Sequence, residues 1–194
     1  MRGTGTATLE SKLAQQLAGL ANEPLFHIFL DVRKAYDSME RGCCLEILRG
    51  YGMGPKLARI LKNYWKRKRI VPKAGKCLCT SFWTGGGVTQ GNPTSPMIFN
   101  IVVDAVVWAV LYVFCILQEA QHGMGWASGY INLVFYADDG RIAGRDHEWV
   151  QDGLTVTVSM LCRMGIAANF KKTKVMVCTP GLIWVKWEET AYKR

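Results

Sequence analysis

The sequence predicts an α+β fold with the order strand, helix, strand, strand, helix, strand, and an extra lobe inserted after the first of these helices. Three observations support this prediction. Short apolar runs of strand length alternate with longer stretches of helical spacing. Glycine and proline clusters separate them. The 194 residues are 49% hydrophobic and 20% charged, which suits a globular chain with a sizeable core and excludes a disordered tail.

The elements before the insert are two helices and one strand. Leucines at helical spacing predict an amphipathic first helix: Leu9, Leu13, Leu17 and Leu20. Residues 25–30 are nearly all apolar and predict a strand that is buried on both faces and ends at Asp31. A single helix is expected over residues 35–48, before the glycines that begin the insert.

The insert, between Gly50 and Thr94, predicts a helix with an apolar stripe after Pro55 and short strands at 70–73 and 77–83. Residues 97–117 predict a long apolar helix. A β-hairpin follows, with strands at 131–137 and 141–144 and a turn at Asp138, Asp139 and Gly140. A helix ending before Gly165 and a strand at 174–178 complete the pattern.

The run 97–117 is long enough to cross a membrane. Asp104 near its middle would cost about 2.5–3.5 kcal/mol on insertion scales, and no nearby basic residues set an orientation. We therefore predict a buried core helix and no membrane partner.

The net charge of +9 indicates a polyanionic partner, nucleic acid before membrane surface. The charge is uneven, because residues 77–140 contain four acidic residues and no Lys or Arg, which leaves +13 on the flanks. A basic surface beside a carboxylate site would produce this pattern, and so would ordinary segregation of charge to the surface.

The seven cysteines include no C-x-x-C pair, and no secretory signal precedes them. This usage predicts a reducing, intracellular location, nuclear or cytoplasmic. The three histidines lie far apart without ligand spacing, which disfavours a structural zinc site.

The element order is that of the ferredoxin-like split βαββαβ arrangement, in which the end of the first strand and the tip of the central hairpin can lie side by side. Asp31 would then approach Asp138 and Asp139. An Asp-Asp-Gly turn alone is most often only a turn. Three converging carboxylates need a cation between them, and hard oxygen ligands suit Mg²⁺.

Four segments carry a family resemblance: residues 29–37 (FLDVRKAYD), 90–96 (QGNPTSP), 135–139 (FYADD) and 164–174 (MGIAANFKKTK). They resemble, in order, the palm motifs of reverse transcriptases, and more closely the non-LTR retrotransposon and group II intron branch than retroviral enzymes. The likeness extends over about residues 3–180. It implies RNA-directed DNA polymerase activity, with an RNA template, a DNA primer and deoxynucleoside triphosphates as partners.

The resemblance also implies residue roles. Asp31 and Asp138 would bind metal, with Asp139 as a partner, and two Mg²⁺ ions, or Mn²⁺, would serve the transfer of a nucleotide to the primer 3′-hydroxyl. Lys172 or Lys174 would stabilise or protonate the pyrophosphate; a solvated charge run is the alternative.

The remaining implied contacts are with nucleotide and template. Tyr36 would pack against the incoming sugar and disfavour a 2′-hydroxyl, although an aromatic there could simply be core. Gln90 and Gly91 would contact nucleotide and template, or form a surface turn. The basic cluster Lys66, Arg67, Lys68 and Arg69 would contact backbone phosphates, or be a solvated helix end.

The resemblance predicts that residues 1–180 form a fingers/palm fragment and that 181–194 are a C-terminal remnant without a recognisable thumb or primer-grip hairpin. The finger segments before the first palm motif are also missing, so we expect an incomplete enzyme. Two other functions stay open: a catalytically silent nucleic-acid-binding remnant and an RNA-dependent RNA polymerase. A third function, a small basic membrane protein, would be based only on residues 97–117 and does not account for the strand pattern around them.

Overall fold

A computed structural model describes residues 4–89, 91–122, 131–179 and 182–187. The helices in these ranges are α1 (Thr4–Leu20), α2 (Ala35–Ser38), α3 (Arg41–Gly50), α4 (Pro55–Lys66), α5 (Thr94–His122) and α6 (His147–Arg163). The strands are β1 (Leu25–Arg33), β2 (Arg69–Ile70), β3 (Lys73–Ala74), β4 (Cys77–Leu78), β5 (Phe82–Trp83), β6 (Ile131–Tyr136), β7 (Asp139–Gly144), β8 (Ala167–Ala168), β9 (Lys174–Thr179) and β10 (Leu182–Trp187). The chain therefore mixes helix and sheet, as predicted.

The main sheet has the strand order β10-β9-β1-β7-β6, and every neighbouring pair is antiparallel. The short strand β8 pairs with the end of β1. β1 is thus the centre of the sheet, which explains its apolar sequence. Its Ile28, Leu30 and Val32 are buried in the core, whereas Phe29 and Asp31 alternate with them and point to the other face.

The core lies between the sheet and the helices. Val102, Val106 and Val110 of α5 are almost completely buried there, together with Ile142 of β7 and Leu161 of α6. α5 packs against α6, α3 and β6, so the long apolar helix serves as a core element. The face of the sheet that carries Phe29 and Asp31 is left more open.

β1 is longer than the sequence predicts. The apolar run ends at Leu30, but the strand continues to Arg33, so Asp31 lies inside it and not at its end. The reason is pairing with distant segments, because Asp31 lies opposite Asp139, and Val32 and Arg33 pair with β8. These partners hold polar residues in an extended strand.

The prediction of one helix over 35–48 is wrong. The helix is interrupted at Met39 and Glu40, which separate α2 from α3. The break is set by long-range hydrogen bonds, since Met39 O accepts from Gly87 N and Glu40 N donates to Met164 O. Glu40 then caps α3 by accepting from the backbone N–H groups of Cys43 and Gly42, which lower the pKa of its carboxyl.

The hairpin turn also differs from the prediction. The loop of the β6–β7 hairpin is Ala137–Asp138, so Asp139 and Gly140 belong to β7. Ala137 adopts a φ of 52°, and the turn closes two residues earlier than the Asp139-Gly140 signal suggests. Gly140 is needed for packing, because a Cβ there would lie 2.7 Å from the ring of Phe135.

Two features of the chain ends were not foreseen. The leucines of α1 do not enter the core; Leu9, Leu13, Leu17 and Leu20 are all exposed, and only Ala18 of that helix is buried among the residues described. Beyond Pro180, where no hairpin was recognised, β10 pairs with β9 as an added edge strand. The remnant predicted at 181–194 therefore contains a strand over Leu182–Trp187.

The insert forms two separate two-stranded ladders, β2 with β5 and β3 with β4. The strand predicted at 70–73 is replaced by β2 and β3, each of which extends one residue beyond that range. The strand predicted at 77–83 is reduced to its two ends, β4 and β5, and the residues of all four strands are exposed.

α5 meets the length and composition criteria for a membrane span over Thr94–Ile116, and 39% of its most apolar stretch is buried in the fold. Asp104 accepts a hydrogen bond of 2.9 Å from the hydroxyl of Tyr51, so its carboxylate has a polar partner in the fold. Burial against the core accounts for one face of this helix, while Met97, Trp108 and Tyr112 on another face are exposed.

Candidate active site

Two of the three predicted carboxylates meet across the sheet. Asp31 of β1 and Asp139 of β7 are register partners, so their side chains project from the same, more open face. Directly opposed residues in antiparallel strands have Cβ atoms about 4.5–5.5 Å apart. Two like charges at that spacing repel each other, and a bound cation would remove the repulsion.

Asp138 lies next to this pair, in the two-residue hairpin loop. Its charge acts on Tyr36, whose pKa is raised by burial and, to a smaller extent, by the Asp138 carboxylate. The hairpin tip therefore faces the segment that carries Tyr36. The sequence correctly predicts that the end of β1 and the hairpin lie side by side.

The expected convergence of three carboxylates at one point is not completed in the part of the chain that the structure describes. No group of three or more His, Cys, Asp or Glu side chains there could hold a metal ion by itself. Mg²⁺ in phosphate-transfer sites is typically bound through one or two carboxylates, with water and substrate phosphates as the other ligands. The oxygen donors of Asp31 and Asp139 fit that chemistry, and Asp138 is the adjacent third donor.

A cavity of about 530 Å³ surrounds the carboxylate pair. Its lining combines Asp31 and Asp139 with three lysines, Lys171, Lys172 and Lys174. The predicted Lys172 and Lys174 thus share a cavity with the predicted metal ligands. Lys171 was missed, although its place in the same short basic run was a usable signal. A cavity with both charges suits a ligand that carries phosphates and metal together.

Asn169 ties the lysine segment to Asp31. Its side-chain Nδ2 donates to Asp31 Oδ2 at 2.7 Å, and its backbone N–H donates to Asp31 O at 2.8 Å. Its own carbonyl accepts from the backbone N–H groups of Lys172 and Thr173. Asn169 carries no local sequence signal for this role, because only the pairing of β8 with β1 brings it to Asp31.

Tyr36 occupies the border between core and site. Its ring stacks on Phe99 with centroids 4.7 Å apart, and its carbonyl accepts from Val88 N at 2.7 Å. The side chain is half-buried, and Asp138 acts on its hydroxyl. The ring therefore packs on the core beside the carboxylate loop.

The loop that contains Gly85, Gly86 and Gly87 is held in place by hydrogen bonds from Arg41. This side chain donates to Gly87 O at 2.8 Å, to Thr84 O at 2.7 Å and to Trp65 O at 3.3 Å. Gly87 has a φ of 72°, and a Cβ there would collide with Asp37 O. Arg41 carries no local sequence signal, since its acceptors are distant backbone carbonyls.

The other two residues for which the sequence predicts nucleotide contacts are Gln90 and Gly91. Gln90 falls outside the described residues. Gly91 has a φ of 82°, which L side chains rarely adopt, so its glycine is required by the backbone. Asn92 then accepts from Thr94 N at the start of α5.

The basic cluster Lys66–Arg69 does not line the carboxylate cavity. It spans the end of α4 and the start of β2, and only Lys68 of the four is half-buried. Lys66 lines a smaller cavity of about 270 Å³ with Arg41, Arg49 and Lys62. Arg69 lies over the ring of Trp83.

His27 lies in β1 and is completely buried. Burial and the nearby charge of Arg141 lower its pKa to about 4. Neither ring nitrogen has a hydrogen-bond partner among the residues described. His27 is therefore neutral in the fold, and it does not line the carboxylate cavity.

Comparison with known proteins agrees with this geometry. Residues 4–192 match the family described as reverse transcriptase (RNA-dependent DNA polymerase). A Pol polyprotein of the retrotransposable element R2 from Nasonia vitripennis is 28% identical over 166 residues, covering 80% of this chain and 14% of the relative. The corresponding R2DM protein of Drosophila melanogaster is 25% identical over 143 residues, covering 74% of this chain and 13% of the relative.

Solved structures show the same fold at lower identity. Telomerase from Candida tropicalis, in complex with a fragment of telomeric RNA, superposes with a TM-score of 0.68 at 15% identity, covering 93% of this chain and 30% of that one. The corresponding complex from Candida albicans gives 0.67 at 13%, covering 90% and 30%. The chain spans about one seventh of the R2 proteins' length. Since the family match includes nearly every residue, this chain belongs to the reverse transcriptase family.

Proposed function

We propose that this domain catalyses RNA-directed DNA synthesis, in which a primer 3′-hydroxyl attacks the α-phosphate of a deoxynucleoside triphosphate and pyrophosphate leaves. The observation that carries the proposal is the pairing of Asp31 with Asp139 in a cavity that three lysines also line. This combination supports nucleotidyl transfer more directly than simple nucleic-acid binding, which needs no opposed carboxylates.

We further propose that the main sheet is the polymerase palm and that residues 51–93 are a partial fingers insertion. The strand order β9-β1-β7-β6, with helices after β1 and β7, supports the split βαββαβ arrangement. β10 adds one strand at the edge. The assignment of residues 1–180 as one fingers/palm unit belongs to this proposal.

In the proposed mechanism, Asp31 and Asp139 hold Mg²⁺, with Asp138 as the adjacent ligand, and Mn²⁺ is the alternative ion. Two bound Mg²⁺ would supply acidification of the primer hydroxyl and neutralisation of phosphate charge. Asn169 occupies one oxygen of Asp31, which leaves the other oxygen for the ion. This division of the two oxygens sets the orientation of the carboxylate.

The lysines act on the triphosphate. Lys171 and Lys174 offer positive charge to its phosphates, and Lys172 is the proposed proton donor to the departing pyrophosphate. Tyr36, held by Phe99, limits the space for a 2′-hydroxyl. Gln90 and Gly91 contact the nucleotide and the template, and Lys66–Arg69 contact backbone phosphates.

The proposed partners are an RNA template, a DNA primer and deoxynucleoside triphosphates. The telomerase relative was solved with telomeric RNA, which supports an RNA partner for this fold. We also propose an intracellular location, because all seven cysteines are free thiols. No membrane partner is proposed, since α5 packs its valine face into the core.

The experiment is single-nucleotide addition to a DNA primer on an RNA template, with protein in excess and Mg²⁺ present. We expect Asp139→Asn to lower the rate about 100-fold or more, as loss of one charge-stabilising group does in other enzymes. Asp152→Asn, an exposed aspartate on α6, is the matched control and should leave the rate unchanged.

Each alternative function predicts a different outcome. No addition by the wild type would contradict catalysis and favour a nucleic-acid-binding remnant. Equal addition by the wild type and Asp139→Asn would contradict the catalytic role of Asp139. Preference for ribonucleotides over deoxyribonucleotides would favour an RNA-dependent RNA polymerase.

A further inference from the structure

The positive charge of the molecule is concentrated away from the carboxylate cavity. No acidic residue occurs between Glu46 and Asp104, and this stretch holds ten Lys and Arg, more than the net charge of the whole chain. They are Arg49, Lys56, Arg59, Lys62, Lys66, Arg67, Lys68, Arg69, Lys73 and Lys76. Seven of these fall in residues 62–83, here called the basic insert, which contains the end of α4 and the ladders β2–β5 and β3–β4.

The β2–β5 ladder presents aromatic rings among these cations. Arg69 pairs with Trp83 and Ile70 pairs with Phe82. Because neighbouring strand residues point to opposite faces, Trp83 and Phe82 lie on opposite faces of this two-stranded ribbon. Trp83 is 55% exposed and Phe82 is 50% exposed.

Arg69 holds Trp83 in place without covering it. The guanidinium carbon lies 4.4 Å from the centroid of the indole ring, within the range of a cation–π contact. More than half of the tryptophan surface stays open despite this contact. A ring of fixed orientation loses little conformational entropy when a flat ligand stacks on it.

The surrounding charge decides which ligand class fits this ribbon. Exposed aromatic rings alone would suit a protein partner, whose interface core is depleted of charged residues, particularly lysine. Rings within a run of seven cations and no acids suit a polyanion with flat, unpaired bases. The bases of a duplex are stacked on one another, so a single strand is favoured.

We propose that the basic insert is a binding site for single-stranded nucleic acid, in which bases stack on Trp83 and Phe82 while Lys66, Arg67 and Lys73 contact the phosphates. The site lies outside the carboxylate cavity and rests on the proposed function only in that its strand would be the template. RNA and DNA share the required chemistry.

Exposed aromatic rings on α5 serve as a comparison for those of the basic insert. Trp108 is 65% exposed, more than Trp83, and Tyr112 is 68% exposed. No Lys or Arg occurs between residues 77 and 140, so these rings lack a cationic surrounding on their own helix. Trp108 therefore tests whether an exposed tryptophan by itself binds oligonucleotides.

The experiment measures binding of fluorescein-labelled oligo(U), oligo(dT) and a hairpin duplex to the 194-residue chain by anisotropy. We expect single strands to bind more tightly than the duplex. Trp83→Ala should weaken single-strand binding about 5- to 150-fold, the loss expected for one stacked base. Trp83→Phe should restore most of the affinity, and Trp108→Ala should leave it unchanged.

Two further readouts separate stacking from a structural effect. Indole fluorescence should be quenched by oligo(U) in Trp108→Ala and much less in Trp83→Ala. Lys66→Ala with Arg67→Ala should reduce the slope of log affinity against log salt by roughly 0.7 per lost phosphate contact. Matching thermal midpoints for the variants would show that folding is retained.

The proposal is overturned if Trp83→Ala and Trp108→Ala bind alike, if the duplex binds better than the single strands, or if the wild type binds no oligonucleotide. Failure of the proposed polymerase is a separate outcome. A chain that binds oligo(U) through Trp83 but adds no nucleotide would keep this site and lose the catalytic function. Tighter binding of oligo(U) than of oligo(dT) would identify RNA as the strand.

Discussion

At the scale of single residues, the site depends on how Asp31 is held. The carboxylate lies opposite Asp139 and has one oxygen bound by the amide of Asn169. The backbone N–H of Asn169 also donates a hydrogen bond to Asp31 O. The carbonyl of Asn169 accepts from the N–H groups of Lys172 and Thr173, which forms the turn that carries the lysines. The amide therefore links the orientation of a proposed metal ligand to the position of Lys172.

We expect Asn169→Ala to weaken binding of Mn²⁺, measured by electron paramagnetic resonance, by about 10- to 100-fold, the usual effect of losing a group that orients a ligand. The variant should also lose about 1.5–3 kcal/mol of unfolding free energy, because the hydrogen bond involves a charged acceptor. Asn63→Ala, at an exposed position on α4, is the control. Unchanged Mn²⁺ affinity in Asn169→Ala would show that the amide does not position Asp31.

Tyr36 is the second residue whose role can be isolated. If its ring limits the space at the sugar, Tyr36→Ala should raise ribonucleotide use relative to deoxyribonucleotide use in single-nucleotide addition. Tyr36→Phe keeps the stack on Phe99 and should keep the discrimination. The same nucleotide preference in all three proteins would show that Tyr36 is an ordinary core residue with no role at the sugar.

His27 makes stability depend on pH. Its pKa is about 4 in the fold and about 6.5 in the unfolded chain, so the unfolded state binds the proton first as pH falls. Stability is therefore full above about pH 6.5 and decreases by about 3 kcal/mol as pH falls to about 4. Urea denaturation at several pH values should show this decrease, and His27→Leu should remove it. The exposed His147→Gln is the control, and an unaltered pH dependence in His27→Leu would contradict the assignment.

At the scale of elements, the junction of α2, α3 and α6 is set by close backbone contacts. Glu40 N donates to Met164 O, and Gly165 with a φ of 77° follows. A Cβ on Gly165 would lie 2.6 Å from Ser38 O. Side chains are therefore excluded where the end of α6 meets the break between α2 and α3.

Two glycine substitutions test this contact. Gly52 also has a positive φ, of 93°, but has open space around its Cβ position. We expect Gly52→Ala to cost about 1–2 kcal/mol from backbone strain alone. Gly165→Ala should cost about 1–3 kcal/mol more because of the added clash. Equal losses in urea denaturation would show that the junction can relax.

At the scale of the whole molecule, the carboxylate cavity and the basic insert are separate surfaces of one domain. Polymerisation needs the hydroxyl and the α-phosphate aligned, and a displacement of about 1 Å can cost on the order of 100-fold in rate. The R2 relatives are about seven times longer than the part matched here. We propose that segments beyond this domain contribute to that alignment.

We therefore expect the isolated chain to bind primer–template weakly and to extend it over many nucleotides poorly or not at all. Binding should weaken steeply with added salt, because phosphate contacts release counterions. A gel-based extension assay at two salt concentrations measures both effects. Processive, Mg²⁺-dependent extension by the 194 residues alone at moderate salt would contradict this expectation.

The family, the mixed fold and the segments that form the site can all be read from the amino-acid sequence. Four motifs in order identified a reverse transcriptase, and the family match confirms it. Local periodicity also located β1, α4, α5, α6 and β9, because burial of one face leaves a pattern within each element. The placement of Asp31 beside the Asp138–Asp139 hairpin followed from element order.

Features that depend on partners distant in sequence are visible in the three-dimensional fold and not in the sequence. The break at Met39–Glu40 is set by Gly87 and Met164, and the extension of β1 through Asp31 is set by β7 and β8. Asn169 and Arg41 acquired partners in the same way. The hydrogen bonds of Arg41 to its acceptors and of the Asn169 side chain to Asp31 join residues 24 to 138 positions apart, so no local pattern records them. Local periodicity reports which face of an element is buried, whereas the tertiary fold selects the atoms that meet there.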